Sequence, residues 1–256
     1  MPEQLSLSVS LNDDATFKNF FLNRQVSQEG GQQGKQQSHQ QGNQQNSSRH
    51  QVVTILQGQL LSGEESFVYV WGASGSGVSH LLQASCHEAS ANGLSAQYLP
   101  LGELLDYPPQ QLLENLEQLS LVCLDDLQVI AGNQIWEEAL FDLYNRIKDV
   151  GGRLLLGAKC SARELPLQLP DLQSRFGWGP VFQLSEPNDD EKKAILQFRA
   201  SRRGMELNDD VAQYLISRSG RHMGELMGCL DQLEKISLQE GRKLSIPFVK
   251  QVFNFT

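Results

Sequence analysis

An apolar run, Phe67-Val68-Tyr69-Val70-Trp71, passes directly into Gly72-Ala73-Ser74-Gly75-Ser76-Gly77-Val78-Ser79 and then into a segment of helical spacing. Strand, glycine turn and helix in that order form a P-loop arrangement, which restricts the chain to a small set of α/β folds. The glycines at 72, 75 and 77 let the main chain curl so that its N–H groups face a diphosphate, and the helix N-terminus adds partial positive charge. Ser79 stands where a hydroxyl would reach Mg²⁺. Position 78, where the motif requires Lys, is Val78. Further along comes Leu121-Val122-Cys123-Leu124-Asp125-Asp126, an apolar strand ending in two carboxylates. In such a pair, Asp125 would hold the water shell of Mg²⁺ and Asp126 would orient an attacking water.

Short β-type runs alternate with helical spacing from Val52 to about Leu184, the pattern of a mainly parallel sheet covered by helices. The strands expected are Ser66–Trp71, Ser95–Pro100, Leu119–Asp125, Arg153–Ala158 and Val181–Leu184. Helices are expected over Ser79–Asn92 and Gln134–Val150, the second with Ile135, Trp136, Ala139, Leu140, Leu143, Tyr144 and Ile147 on one buried face. After Pro187 the strand signals cease. Three helical segments follow, opened by Asn188 with Glu191 as a capping box, by Asn208, and by a start near Met223 that runs to Gly241. The fold class predicted is α/β, a parallel sheet flanked by helices and followed by a small all-helical domain. The expected divisions are 1–24, 25–51, 52–186 and 187–256.

Residues 25–51 are mostly Gln, Gly, Ser and Asn, with too little apolar surface to offset the entropy of ordering. They are expected to be a flexible insert, read first as an insertion tolerated in a surface loop and otherwise as a tether of roughly thirty residues with a root-mean-square reach on the order of 30 Å. A formal charge of -9 argues against a nucleic-acid backbone as the main partner, because such binding needs clustered Lys and Arg. The four cysteines, 86, 123, 160 and 229, form no metal-binding spacing and read as buried small residues, so no structural metal is expected. The chain has no apolar run long enough for a bilayer span and no signal-peptide pattern at Met1-Pro2-Glu3, so a cytoplasmic protein away from membranes is expected.

The two phosphate-site motifs followed by a helical lid resemble the AAA+ ATPases, and within them the bacterial initiator DnaA. Ser79-His80-Leu81-Leu82 after the glycine loop, Asp as the second carboxylate, and Asp171-Leu172-Gln173-Ser174-Arg175-Phe176-Gly177-Trp178-Gly179 carry the likeness, and Thr16-Phe17-Lys18-Asn19-Phe20 resembles the family's lead-in segment beside the adenine pocket. The resemblance implies that Arg175 is an arginine finger, acting on the ATP of a neighbouring subunit. The chain ends soon after the lid, where an initiator continues into a DNA-binding domain, so direct specific DNA binding is not expected. With Gln4-Leu5-Ser6-Leu7 at the start, it is similar to the Hda-type regulators of this family.

In those regulators the terminal segment is a peptide for the DNA polymerase sliding clamp (β subunit). An extended chain places a Gln amide in a polar subsite and apolar side chains in a greasy pocket. Gln4, Leu5 and Leu7 fit, while Ser8 and Val9 stand where the family presents a proline and a leucine, leaving Val9 as a smaller anchor. The partners implied are the clamp and the DnaA initiator, and the resemblance allows a homo-oligomer.

Three departures bear on catalysis. Val78 lacks the ammonium that pairs phosphates, Lys159 replaces an acid of the sensor region, and Gly224 replaces the lid Arg. Negligible intrinsic ATPase activity is expected, and a bound nucleotide is expected to be ADP, held mainly by backbone groups, with Mg²⁺ allowed beside it. The alternatives are an independently active ATPase such as a helicase loader, and a scaffold that binds clamp and initiator without stimulating hydrolysis. Arg199, Arg202 and Arg203 read as a solvated face, and His80 and His87 as packing residues.

Overall fold

Five short runs rich in Leu, Val, Tyr and Phe pair into one parallel sheet, β1 Phe67–Trp71, β2 Ala96–Pro100, β3 Leu121–Asp125, β4 Leu154–Ala158 and β5 Val181–Gln183, in the order β2-β3-β4-β1-β5. The structure, a computed structural model, describes residues 10–22, 48–220 and 222–255. Gln4, Leu5, Leu7 and Val9, and residues 25–47 of the Gln-rich stretch, lie outside those residues. Contacts divide the chain into two compact units, one reaching Ala73 and continuing over Gly77–Ser185, the other comprising Ser74–Ser76 and everything from Glu186.

The central strands β3 and β4 are buried along their whole lengths, as parallel strands covered on both faces should be. Alternation divides their side chains between two cores. Tyr69, Val122, Leu124, Leu154 and Leu156 pack with Trp136, Leu140 and Leu143 on one side. Val68, Val70, Leu121, Cys123 and Leu155 pack with Leu81, Leu82 and Cys86 on the other. Each fully buried aliphatic side chain contributes about 1.5–3 kcal/mol of transfer free energy. The registers Val68↔Leu155 and Cys123↔Leu155 hold the strand ends level. Because β1 lies inside the sheet and its crossover leads to the far edge, the carboxyl ends of β1, β4 and β3 share one rim, where ligands of open α/β sheets bind.

Helix α1, residues 48–62, has a π-wound stretch at Ile55–Leu60. It starts four residues inside the stretch assigned to the tether, a correction with a physical cause. Arg49 is buried and donates to the Ser185 carbonyl at 3.0 Å, Ser48 donates to that of Gln183 at 3.0 Å, and Val52, Val53 and Leu56 are buried. Helix α2, Val78–Ala91, follows β1, and the short helices α3, Leu101–Leu104, and α4, Pro109–Leu112, follow β2. Helix α5, Gln134–Asp149, is opened by Asn133, whose side chain accepts from the Trp136 N–H. Trp136, Leu140, Leu143, Tyr144 and Ile147 are buried, but Ile135 is 59% exposed. Ile135 lies about 100° around the helix from Trp136, outside the stripe that meets the sheet. Helix α6, Pro170–Phe176, precedes β5.

The C-terminal unit contains α7 Asp189–Arg202, α8 Asp209–Arg218, α9 Met223–Glu240 and α10 Ile246–Phe253. The capping box at Asn188 and Glu191 is formed, and α9 ends on Gly241 at φ 62°. Asn208 occupies the N-cap position of α8 without a side-chain cap. The fourth helix was not expected from the sequence. Ser245 caps it, Pro247 lies in its first turn, and Phe248 and Val249 join Leu196, Leu215, Leu226 and Leu230 in the core. The basic cluster is a solvated face only at Arg202, which is exposed. Arg199 is buried, and Arg203 pairs with Asp231 at 2.5 Å and Glu234 at 3.1 Å. Cys86 and Cys123 are buried as expected, whereas Cys160 and Cys229 are only partly so.

Candidate functional site

Gly72 continues the ladder beyond β1 through an N–H bond to the Ala158 carbonyl at 3.1 Å. The chain then turns through Gly75 at φ 81° and Gly77 at φ 105°, conformations that strongly favour glycine. A Cβ on Gly77 would lie 2.8 Å from the Phe20 ring, so a small residue is required there on two grounds. Phe20 and Phe17 are buried, and the Phe20 ring lies 5.5 Å from that of His80. His80 Nε2 hydrogen-bonds the Thr16 carbonyl at 2.8 Å and His87 Nε2 that of Asn12 at 3.0 Å. Both histidines thus fasten the lead-in segment to α2, in keeping with a packing role.

Ser79, the second residue of α2, is exposed. Val78 is buried, its Cγ1 only 3.1 Å from where a Cβ on Gly157 would stand, so this side chain fills the space between α2 and β4. Ser76 Oγ is buried and has no hydrogen-bond partner among the described residues. A diphosphate fits this loop. Left-handed glycines, a helix N-terminus and an unpartnered hydroxyl all present donors to an anion, while no side chain at position 78 can supply charge.

The carboxylates at the end of β3 are already engaged. Asp125 is 3% exposed, with Oδ2 accepting from the Tyr98 hydroxyl at 2.8 Å and Oδ1 from the Asp126 N–H at 2.9 Å. Burial, and then the Asp125 charge, hold the Tyr98 phenol well above its ordinary value. Asp126 adopts φ 58°, a left-handed conformation uncommon outside glycine. Its Oδ1 lies 3.1 Å from Lys159 Nζ and accepts from Gln128 Nε2 at 2.7 Å, while the Lys159 N–H donates to Gln128 Oε1 at 2.9 Å. Lys159 is therefore directed to a carboxylate. Among the described residues there is no group of His, Cys, Asp and Glu that could hold a metal ion.

Arg175 lies in the last turn of α6 and is half-buried. Its guanidinium donates to Asn145 Oδ1 and stands 4.6 Å from the ring centroid of Phe141, 5.3 Å from that of Trp178 and 5.4 Å from that of Tyr144. No carboxylate pairs with it among the described residues, so the arrangement is an aromatic seat, not an ion pair. Burial raises the Tyr144 phenol, and the Arg175 charge partly offsets this. The start of α6 is fixed by Glu137 of α5, a buried carboxylate that accepts from the N–H groups of Gly132, Gln168 and Leu169, each at 2.8 Å. One helix, α5, thus holds both the root of α6 and the guanidinium near its end.

Sequence reasoning did not single out Tyr98, Gln128, Glu137 or Asn145. Tyr98 had a signal once the strands were aligned, because its register with Cys123 puts it on the Asp125 face of the sheet. Asn145 follows Phe141 by four residues, which places both on one side of α5. A side chain at Gly224 would meet open space, so the lid Arg is not excluded by packing.

Residues 41–183 match the family described as the bacterial DnaA ATPase domain, and residues 189–253 match the Hda lid domain. Domain III of the Thermotoga maritima replication initiation protein DnaA superposes with a TM-score of 0.71 at 19% identity, over 96% of this chain and 98% of that one. The AMPPCP-bound DnaA from Aquifex aeolicus gives 0.67 at 20% identity, over 90% of this chain and 68% of that one. The Thermotoga maritima RuvB Holliday junction branch migration motor gives 0.62 at 18% identity, over 82% and 68%. These likenesses concern the fold. The parallel sheet, a glycine motif after β1 and paired carboxylates after β3, and the family match over more than half of the sequence lead to one conclusion: the chain belongs to the DnaA-like AAA+ family, with a lid domain of the Hda type.

Proposed function

We propose that this chain is a negative regulator of replication initiation that promotes ATP hydrolysis by the initiator DnaA, with Arg175 supplied in trans as an arginine finger. The observation that carries the reading is the contrast between two sites on one molecule. The chain's own carboxylates, Asp125 and Asp126, are occupied by Tyr98, Gln128 and Lys159, and Val78 offers the phosphates no charge. Arg175 has no carboxylate partner among the described residues and sits half-buried on three rings that orient its planar fork. A guanidinium held this way transfers to a phosphate at little reorganisation cost, and fingers given by a partner accelerate hydrolysis by roughly 10³ to 10⁵ in GTPases.

The chain's own glycine loop serves as a nucleotide-binding element without turnover. Gly72, Gly75 and Gly77 shape it, Ser76 and Ser79 offer hydroxyls, and ADP is the nucleotide that the backbone donors suit. The N-terminal residues Gln4, Leu5, Leu7 and Val9 dock on the sliding clamp of DNA polymerase, which brings an acidic protein to replicating DNA and raises its effective concentration near the initiator.

The test is hydrolysis of initiator-bound ATP in the presence of clamp loaded on DNA. Wild-type protein should stimulate it, whereas Arg175→Ala and a variant with Gln4, Leu5 and Leu7 changed to alanine should each fail. Stimulation that survives loss of Arg175 would leave a scaffold that acts without a finger. Turnover of ATP by the purified chain, lost in Asp126→Ala, would identify an independent ATPase instead.

A further inference from the structure

We propose that the glycine loop takes a nucleoside diphosphate without a divalent cation, because the chain's own residues have closed the cation subsite. The inference rests on the reading that residues 72–79 hold a diphosphate nucleotide. Mg²⁺ at nucleotide sites keeps much of its water and is held through one or two carboxylates together with phosphate oxygens. Such a subsite needs net negative charge at the end of β3. Here the Lys159 ammonium offsets one of the two carboxylate charges, and neutral donors occupy the oxygens of the other.

Asp126 is neutralised by the Lys159 ammonium at 3.1 Å and further held by the Gln128 amide at 2.7 Å. Gln128 is itself oriented by the Lys159 N–H at 2.9 Å, so Asp126, Gln128 and Lys159 form a closed ring of contacts. Asp125 is buried, with its two oxygens turned to the Tyr98 hydroxyl and to the Asp126 N–H. A dication entering here would meet an ammonium beside the only partly exposed carboxylate of the pair, and Coulomb repulsion opposes it. The diphosphate is then held by the Gly75 and Gly77 turn and by the N-terminus of α2, while Lys159, 56% exposed, keeps the Asp126 charge from repelling it.

The experiment is a fluorescence titration of the full chain with mant-ADP, in excess Mg²⁺ and in EDTA, for wild type, Lys159→Ala and Lys159→Ala/Tyr98→Phe, with thermal melts confirming that each variant is folded. For wild type the two dissociation constants should agree within about twofold. For Lys159→Ala the affinity in EDTA should fall, and Mg²⁺ should now tighten binding by about fivefold or more, with a larger effect in the double variant. Tightening of wild type by about tenfold in Mg²⁺ would overturn the proposal. So would variants that remain indifferent to Mg²⁺, because the Lys159 ring would then not be what closes the subsite. Absence of mant-ADP binding in both buffers would overturn the diphosphate reading itself. The trans-acting role of Arg175 is scored in a separate assay and fails or stands independently.

Discussion

Replacing Tyr98 by Phe removes one hydroxyl and leaves the ring in place, so its effect isolates the hydrogen bond to Asp125. The carboxylate is 3% exposed, and in the variant it keeps the Asp126 N–H as its donor on Oδ1. A hydrogen bond to a charged group is worth about 1.5–3 kcal/mol, and that is the expected loss. For a chain of this size each kcal/mol lowers the melting temperature by roughly 2–4 °C, giving a drop of about 3–12 °C. Urea unfolding followed by tryptophan fluorescence reports on the sheet-containing unit, which holds Trp71, Trp136 and Trp178, and this matters because two compact units need not unfold together. A cycle with Asp125→Asn should return a coupling of about 1–3 kcal/mol between the two positions. The pH dependence has a definite sign. Burial and Asp125 raise the Tyr98 phenol above its ordinary value of 10.0, so its stabilising contribution is full below about pH 10. It declines as the pH rises further, because the unfolded chain releases the phenolic proton first. Tyr69, raised chiefly by burial, acts in the same direction, so the Tyr98→Phe variant should lose less than wild type on the alkaline side without becoming flat. A variant within about 0.5 kcal/mol of wild type at pH 7, the range of an ordinary surface substitution, would refute the reasoning.

Glu137→Ala should cost at least about 3 kcal/mol, since three backbone N–H groups lose their acceptor at about 1–3 kcal/mol each. Amide exchange at Gln168 and Leu169 should accelerate more than in β3 or β4, and stimulation of the initiator should fall with it because Arg175 rides on α6. Gly77→Ala should destabilise by about 1–2 kcal/mol from its left-handed conformation alone, with a further loss because the Phe20 ring must move. A melt gives the stability change, and mant-ADP titration should show weaker binding in the same variant.

The sheet was legible because central parallel strands are buried on both faces and read as unbroken apolar runs, as at Leu121–Leu124 and Leu154–Leu156. The glycine loop was legible because left-handed turns leave glycines behind. Residues whose role depends on a partner distant in sequence were not. Tyr98 reaches Asp125 only after β2 and β3 are in register, and Glu137 reads as one more polar residue on α5 until α6 is laid across it. Lys159 marked itself as a missing acid, but its pairing with Asp126 required the order of β3 and β4. Arg199 shows the converse error. Charge spacing on a helix suggested solvent, while tertiary packing buried it. Helix α10 carried its signals, Ser245 and Pro247, in a segment too short for periodicity to stand out.

The central claim is that one guanidinium on this chain completes an active site on another. Its most direct test is the single-turnover rate of ATP hydrolysis by the initiator, with clamp on DNA, in the presence of wild type, Arg175→Lys or Arg175→Ala. Loss of a trans finger should lower the stimulated rate by roughly 10³-fold or down to the unstimulated rate, whichever is reached first, and Lys should not rescue it for want of the planar fork. Both variants should remain folded, because the half-buried aromatic seat loses about 0.5–2 kcal/mol per ring and the rings keep their packing on one another. A folded Arg175→Ala protein that stimulates hydrolysis as wild type does would contradict the account.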